Sequence, residues 1–151
     1  MYCIALDPGG TTGVCIVKLE SKPWELEVRQ IGPDPHHEGL RDLLDLWQPR
    51  VIVCERFENR GQDSASLIAA EYIGIVKAYT AAALVMQNAS TGKQFWTDDK
   101  LREYDLYVPG LKHARDACRH YLYYRTFVCN DLSLLKGQSH GSIHTLGKGA
   151  Q

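Results

Sequence analysis

Tyr2-Cys3-Ile4-Ala5-Leu6-Asp7-Pro8-Gly9-Gly10-Thr11-Thr12-Gly13 decides how the rest of the chain is read. An apolar run stops abruptly at one carboxylate, and turn residues follow it. The run is too short for a stable helix and reads as a strand buried on both faces. Pro8 cannot donate to a ladder, and Gly9 and Gly10 admit positive φ, so the chain turns sharply after Asp7. Val14-Cys15-Ile16-Val17 resumes the apolar run and returns as an antiparallel partner. Asp7 is thereby left at the tip of the most buried strand, where an uncompensated charge is costly. A carboxylate in that place calls for a partner or a metal ion.

The 151 residues fit one domain with a real core. A net charge of −1 argues against a dedicated nucleic-acid coat. It leaves room for an enzyme in which acidic ligands offset a basic face. The five cysteines (Cys3, Cys15, Cys54, Cys118, Cys129) stand singly, without a Cys-x-x-Cys pair. That is the pattern of reduced core thiols, not of disulfides or zinc. No stretch has membrane-spanning length and no basic-then-apolar leader is present, so a soluble, cytoplasmic protein is expected.

Further along, Leu26 to Ile31 alternates apolar and polar, as a half-exposed third strand does. Leu40, Leu43, Leu44 and Trp47 recur at helical spacing until Pro49. Val51-Ile52-Val53-Cys54-Glu55 repeats the opening pattern, an apolar run ending in a carboxylate. A long helix starts at Asp63 or Ser64 and runs to Tyr79, with Ala69, Ala70 and Gly74 as small residues that admit a close neighbour. Ala83 to Gln87 reads as a fifth strand, Thr97 to Tyr104 as a short helix, and Lys112 to Phe127 as the last helix. The fold class is α/β, a mixed five-stranded sheet flanked by helices. Strands 1 to 3 form an antiparallel meander, and strands 4 and 5 run parallel to strand 1. Residues 1–129 make one domain, and residues 130–151, rich in Gly, Ser, His and Lys, read as a flexible tail.

Asp7 and Glu55 both fall at the C-terminal ends of parallel strands, the edge where open α/β sheets bind ligands. Adjacent strands lie about 4.8 Å apart, so the two carboxylates repel unless a cation lies between them. In the last helix His113 and Asp116 share one face, which Ala117, His120 and Tyr124 continue. Asp7, Glu55, His113 and Asp116 are thus candidate catalytic and metal-binding residues. Together they would hold two divalent ions about 3.5–4 Å apart for in-line displacement at a phosphodiester.

The chain resembles the RuvC-type Holliday-junction resolvases of the RNase H-like fold, in a bacteriophage version. Four features in family order carry the likeness. They are Asp7-Pro8-Gly9 with Thr12-Gly13, Glu55, Asp63-Ser64-Ala65, and His113-Ala114-Arg115-Asp116-Ala117. The resemblance implies a homodimer that nicks opposed strands of a four-way DNA junction symmetrically with Mg²⁺ or Mn²⁺, two ions per active site. Histidine at position 113 suits Mn²⁺ as well as Mg²⁺. The helix from Ser64 to Tyr79 is the expected dimer face. The resemblance makes Phe57 an aromatic wedge at the branch point, and a core residue folded under its loop is the competing reading. Lys93 and Lys100 would sit near the scissile phosphate. Thr11, Thr12, Arg56, Asn59 and Arg60 complete the expected DNA contacts.

Other readings remain at this stage. A phage endonuclease of broader branch or flap selectivity uses the same residues. The glycine- and threonine-rich turn also resembles the first phosphate loop of the actin-like and sugar-kinase superfamily, which implies a nucleotide phosphotransferase but needs a second domain. A non-catalytic DNA-binding module with the same fold is the remaining alternative.

Overall fold

The computed structural model describes residues 1–21, 24–57 and 64–146. A six-stranded sheet divides the molecule into three layers, with strand order β5-β4-β1-β2-β3-β6. β1 (Tyr2–Asp7), β2 (Thr12–Lys18) and β3 (Trp24–Ile31) form the antiparallel meander expected from the opening residues. After α1 (Glu38–Trp47), β4 (Val51–Glu55) enters parallel to β1. After α2 (Ser64–Ala78), β5 (Ala83–Gln87) enters parallel to β4. Gln48 in the left-handed region ends α1 directly before Pro49, so β4 starts at once. α3 (Ala89–Phe95), α4 (Asp98–Glu103) and α5 (Lys112–Tyr123) complete the helices, and α5 continues as a π-helical turn over Tyr124–Val128.

β1 is buried on both faces because each face has its own helical cover. Ile4 and Leu6 meet Leu40, Leu43, Tyr72 and Val76 of α1 and α2. Cys3 and Ala5 meet Ala114, Ala117, Cys118 and Tyr121 of α5, with Trp96 and Leu101 beyond. The side-chain period of two sorts one apolar run between two cores.

The strand count differs from the sequence reading in one respect. Residues expected to lie in the tail form β6 (Gly141–Thr145), parallel to β3. Trp24 N donates to His140 O at 2.7 Å, and Leu146 N to Val28 O at 2.9 Å. β3 is therefore not an edge, and the sheet has six strands instead of five. Ile143 is the one aliphatic residue in β6, so main-chain pairing, not apolar pattern, places it. No helix among the described residues is long and apolar enough to cross a membrane.

Candidate active site

Strand register builds the site. Alternation along β1 turns Cys3, Ala5 and then Asp7 toward α5, and along β4 it turns Val53 and then Glu55 the same way. Glu55 pairs in register with Gln87 at the end of β5. Asp7, Glu55 and Gln87 thus form a row along the C-terminal edge of three parallel strands, under one helix.

α5 reaches this row because β2 carries no side chain where the helix crosses it. A Cβ at Gly13 would collide with the main-chain carbonyl of His113. Gly13 is the register partner of Asp7, so the close approach delivers His113 directly above that carboxylate. Gln30, opposite Gly13 on β3, completes the contact. Its Oε1 accepts from His113 N at 3.1 Å and Ala114 N at 3.4 Å, satisfying two of the free amides that begin α5.

Each carboxylate has its own partner. His113 Nδ1 stands 2.9 Å from Asp7 Oδ2. His120 Nε2 stands 2.9 Å from Glu55 Oε2. Asp116, only 4% exposed, holds Lys93 Nζ at 3.0 Å and Arg119 Nη1 at 2.5 Å. Arg119 is itself fixed, donating through Nε to Trp96 O at 2.7 Å and through Nη2 to Asp98. α3 lies against α5 here, since a Cβ at Gly92 would come within 2.8 Å of the Arg119 carbonyl carbon. That contact carries the neighbouring Lys93 to Asp116.

The charges remain unbalanced at Asp7. Burial raises its pKa most, the Glu55 charge adds to this and Asp116 contributes, while the His113 hydrogen bond pulls the other way; the outcome is about 6. Burial also pushes Glu55 upward. There the hydrogen bond and charge of His120, with Lys93 and a hydrogen bond shared with Asp7, outweigh it and leave the group below its ordinary value.

Three carboxylates and an imidazole are a donor set for a hard or borderline divalent cation. The raised proton affinity of Asp7 is the response expected where such a cation would relieve carboxylate repulsion. The donors therefore fit a divalent ion in kind. Their arrangement is a ring of separate contacts, and among the described residues no group of three or more His, Cys, Asp or Glu side chains is gathered as one coordination shell.

The other expected residues divide. Arg56 is exposed just beyond β4, its amide bound to Gln87 O at 2.6 Å. Thr11 lies partly exposed in the turn. Thr12 is a correction: it is fully buried, and its Oγ1 accepts from Gly9 N at 3.3 Å and donates to Gly9 O at 3.2 Å, so it braces the turn and offers DNA no hydroxyl. Phe57 is half-buried against the apolar cluster on the α1/α2 side of the sheet. Lys100 lies 3.3 Å over the Phe95 ring instead of beside the carboxylates. Asn59 and Arg60 are outside the described residues. Sequence reasoning missed Gln30, Gln87, Arg119 and the role of His120. Gln87 had a signal, being a third apolar run that ends in a polar residue at the same edge. Gln30 had none, because only the sheet register brings it to α5.

No family model matches this sequence, and no curated protein matches it. Solved structures do match the fold. Thermus thermophilus RuvC in complex with a Holliday junction substrate is 15% identical, with a TM-score of 0.65 over 87% of this chain and 96% of that one. Another Thermus thermophilus RuvC structure is 16% identical, with a TM-score of 0.59 over 93% and 99%. The fowlpox virus Holliday junction resolvase is 12% identical, with a TM-score of 0.55 over 85% and 99%. The chain has the fold of these resolvases.

Proposed function

We propose that this protein is a divalent-metal-dependent endonuclease that resolves four-way DNA junctions. What supports the reading is that Asp7, bonded to His113 and under the charges of Glu55 and Asp116, lies at the C-terminal edge of a sheet whose fold is that of solved Holliday junction resolvases. Held by these four side chains, Mg²⁺ or Mn²⁺ would activate water and neutralise the leaving oxygen of an in-line phosphodiester displacement.

The residues around them have separable tasks. Asp7 must be ionised to serve as a ligand, and His113, directly bonded to it, orients its carboxylate. Arg119 keeps Asp116 in place from inside the protein. Lys93 is the exchangeable partner of Asp116, with a side chain 45% exposed, and can turn from the carboxylate to a backbone phosphate. Arg56 and Thr11 lie at the same edge and add phosphate contacts without reading bases.

Paired nicking of a two-fold substrate calls for a two-fold enzyme. α2 supplies a face for it. Tyr72, Ile73 and Val76 point into the core, while Leu67, Ala70 and Gly74 are exposed, and a Cβ at Gly74 would meet nothing within 4 Å.

Asp7→Asn tests the assignment. The variant should lose cleavage of a four-way junction in Mg²⁺ or Mn²⁺ while gel-shift binding of the same junction stays near wild type. Cutting by this variant at an undiminished rate refutes the reading. Parallel assays on four-way, three-way, flapped and linear DNA separate a junction resolvase from a broader branch nuclease.

A further inference from the structure

His120 has no task in the nuclease reading so far, yet its surroundings are specific. It is 1% exposed and sits between Arg119 and Tyr121 on the face of α5 that covers the sheet. A buried imidazole is costly unless both ring nitrogens find partners. Both do, and both partners belong to the row at the strand ends. Nδ1 is 2.9 Å from Gln87 Oε1, and Nε2 is 2.9 Å from Glu55 Oε2. The amide nitrogen of Gln87 also donates to the His120 carbonyl at 3.3 Å. With the Gln87 nitrogen occupied in this way, its oxygen is the end that faces the ring. The ring is then held from behind, and its Nε2 edge addresses one carboxylate oxygen.

Glutamate needs such help more than the other two carboxylates. It has an extra rotatable bond, and its ordering costs more side-chain entropy. Asp7 is bonded to His113 at the rim, and Asp116 is clamped by Arg119. Glu55 takes its clamp from His120, beside the hydrogen bond it shares with Asp7. We propose that His120, backed by Gln87, is a positioning residue that fixes the Glu55 carboxylate for the divalent cation. This rests on the nuclease reading of the site.

Mn²⁺ binding to the full chain without DNA, followed by calorimetry, tests the role directly, with thermal melting in EDTA as the control for folding. Asparagine places its amide near the former Nδ1 and glutamine near the former Nε2. His120→Asn should therefore keep the Gln87 contact, drop Glu55, and weaken Mn²⁺ binding about 10–100-fold, as losses of partners behind a ligand do. His120→Gln keeps the contact to Glu55 and should lose much less, about as little as Gln87→Met, which removes only the backing. A filler role predicts no such order. The positioning role is overturned if His120→Asn binds Mn²⁺ like wild type, or if His120→Gln is as weak as His120→Asn. Should His120→Asn fail to fold, His120→Leu takes its place, and Mn²⁺ binding by it as tight as that of His120→Gln overturns the role equally. If the wild type binds no Mn²⁺ and cuts no junction, the nuclease reading falls and this role with it. Wild-type binding with indifferent variants removes the positioning role alone.

Discussion

Asp7 shows how one residue records its surroundings. Its folded-state pKa of about 6 lies above the 3.8 of an ordinary aspartate, so the folded chain binds this proton more tightly than the unfolded chain. As pH rises from 4 through 6 the unfolded chain ionises first, and the metal-free protein loses stability across that window. Asp7→Asn removes the penalty. It should raise the melting temperature of the metal-free protein at pH 8 and change it little at pH 4, with a gain of at most about 3 kcal/mol at one pKa unit per 1.36 kcal/mol. A gain of the same size at both pH values would contradict the raised pKa. Divalent ions compete with the same proton, so the melting temperature they add should grow through pH 6. The place of Asp7 at a buried strand tip was legible in the chain, because a strand that ends in a carboxylate before Pro-Gly is a local pattern. The inward duty of Thr12 was not, since its hydrogen bonds exist only after the turn closes.

At the scale of elements, the site depends on how closely helices approach the sheet. α5 crosses β2 at Gly13 with no space for a Cβ, and the atoms it would strike are main chain, which cannot rotate away. Gly13→Ala should therefore cost about 3 kcal/mol in urea unfolding, the upper range of overpacking. Gly92→Ala, with its nearest contact at 2.8 Å, should cost about 1–2 kcal/mol because the short α3 can shift. Equal tolerance of both substitutions would show that α5 is not seated as described. The long periodic elements were readable in advance: α1, α2, α5 and the five apolar strands all have the period their structure demands. α3 and β6 were not. Seven residues, Ala89-Ser90-Thr91-Gly92-Lys93-Gln94-Phe95, have no clear apolar stripe and take their place by packing on α5. β6 has a tail-like composition and is defined by the edge of β3.

For the whole molecule, the question is whether it acts in pairs. Leu67 is 60% exposed on the face of α2 that also carries Ala70 and Gly74, the face proposed for a partner protomer. Leu67→Glu should leave the fold and the melting temperature nearly unchanged, convert a dimer to a monomer in sedimentation, and replace paired junction cuts by uncoupled nicks. A variant that sediments and cuts like wild type would rule out this face.

What the sequence determined by itself was periodic or local. It carried the order of strands and helices, the burial of β1 on both sides, and the polar ends of β1 and β4 on one edge. Apolar spacing encodes burial, and proline and glycine encode turns, so these needed no folded partner. Only the tertiary structure decided which charges meet. Lys93 reaches Asp116, His120 reaches Glu55 and Gln30 caps α5 because residues far apart in the chain share one register and one helix crossing. No spacing along a single segment records such a meeting.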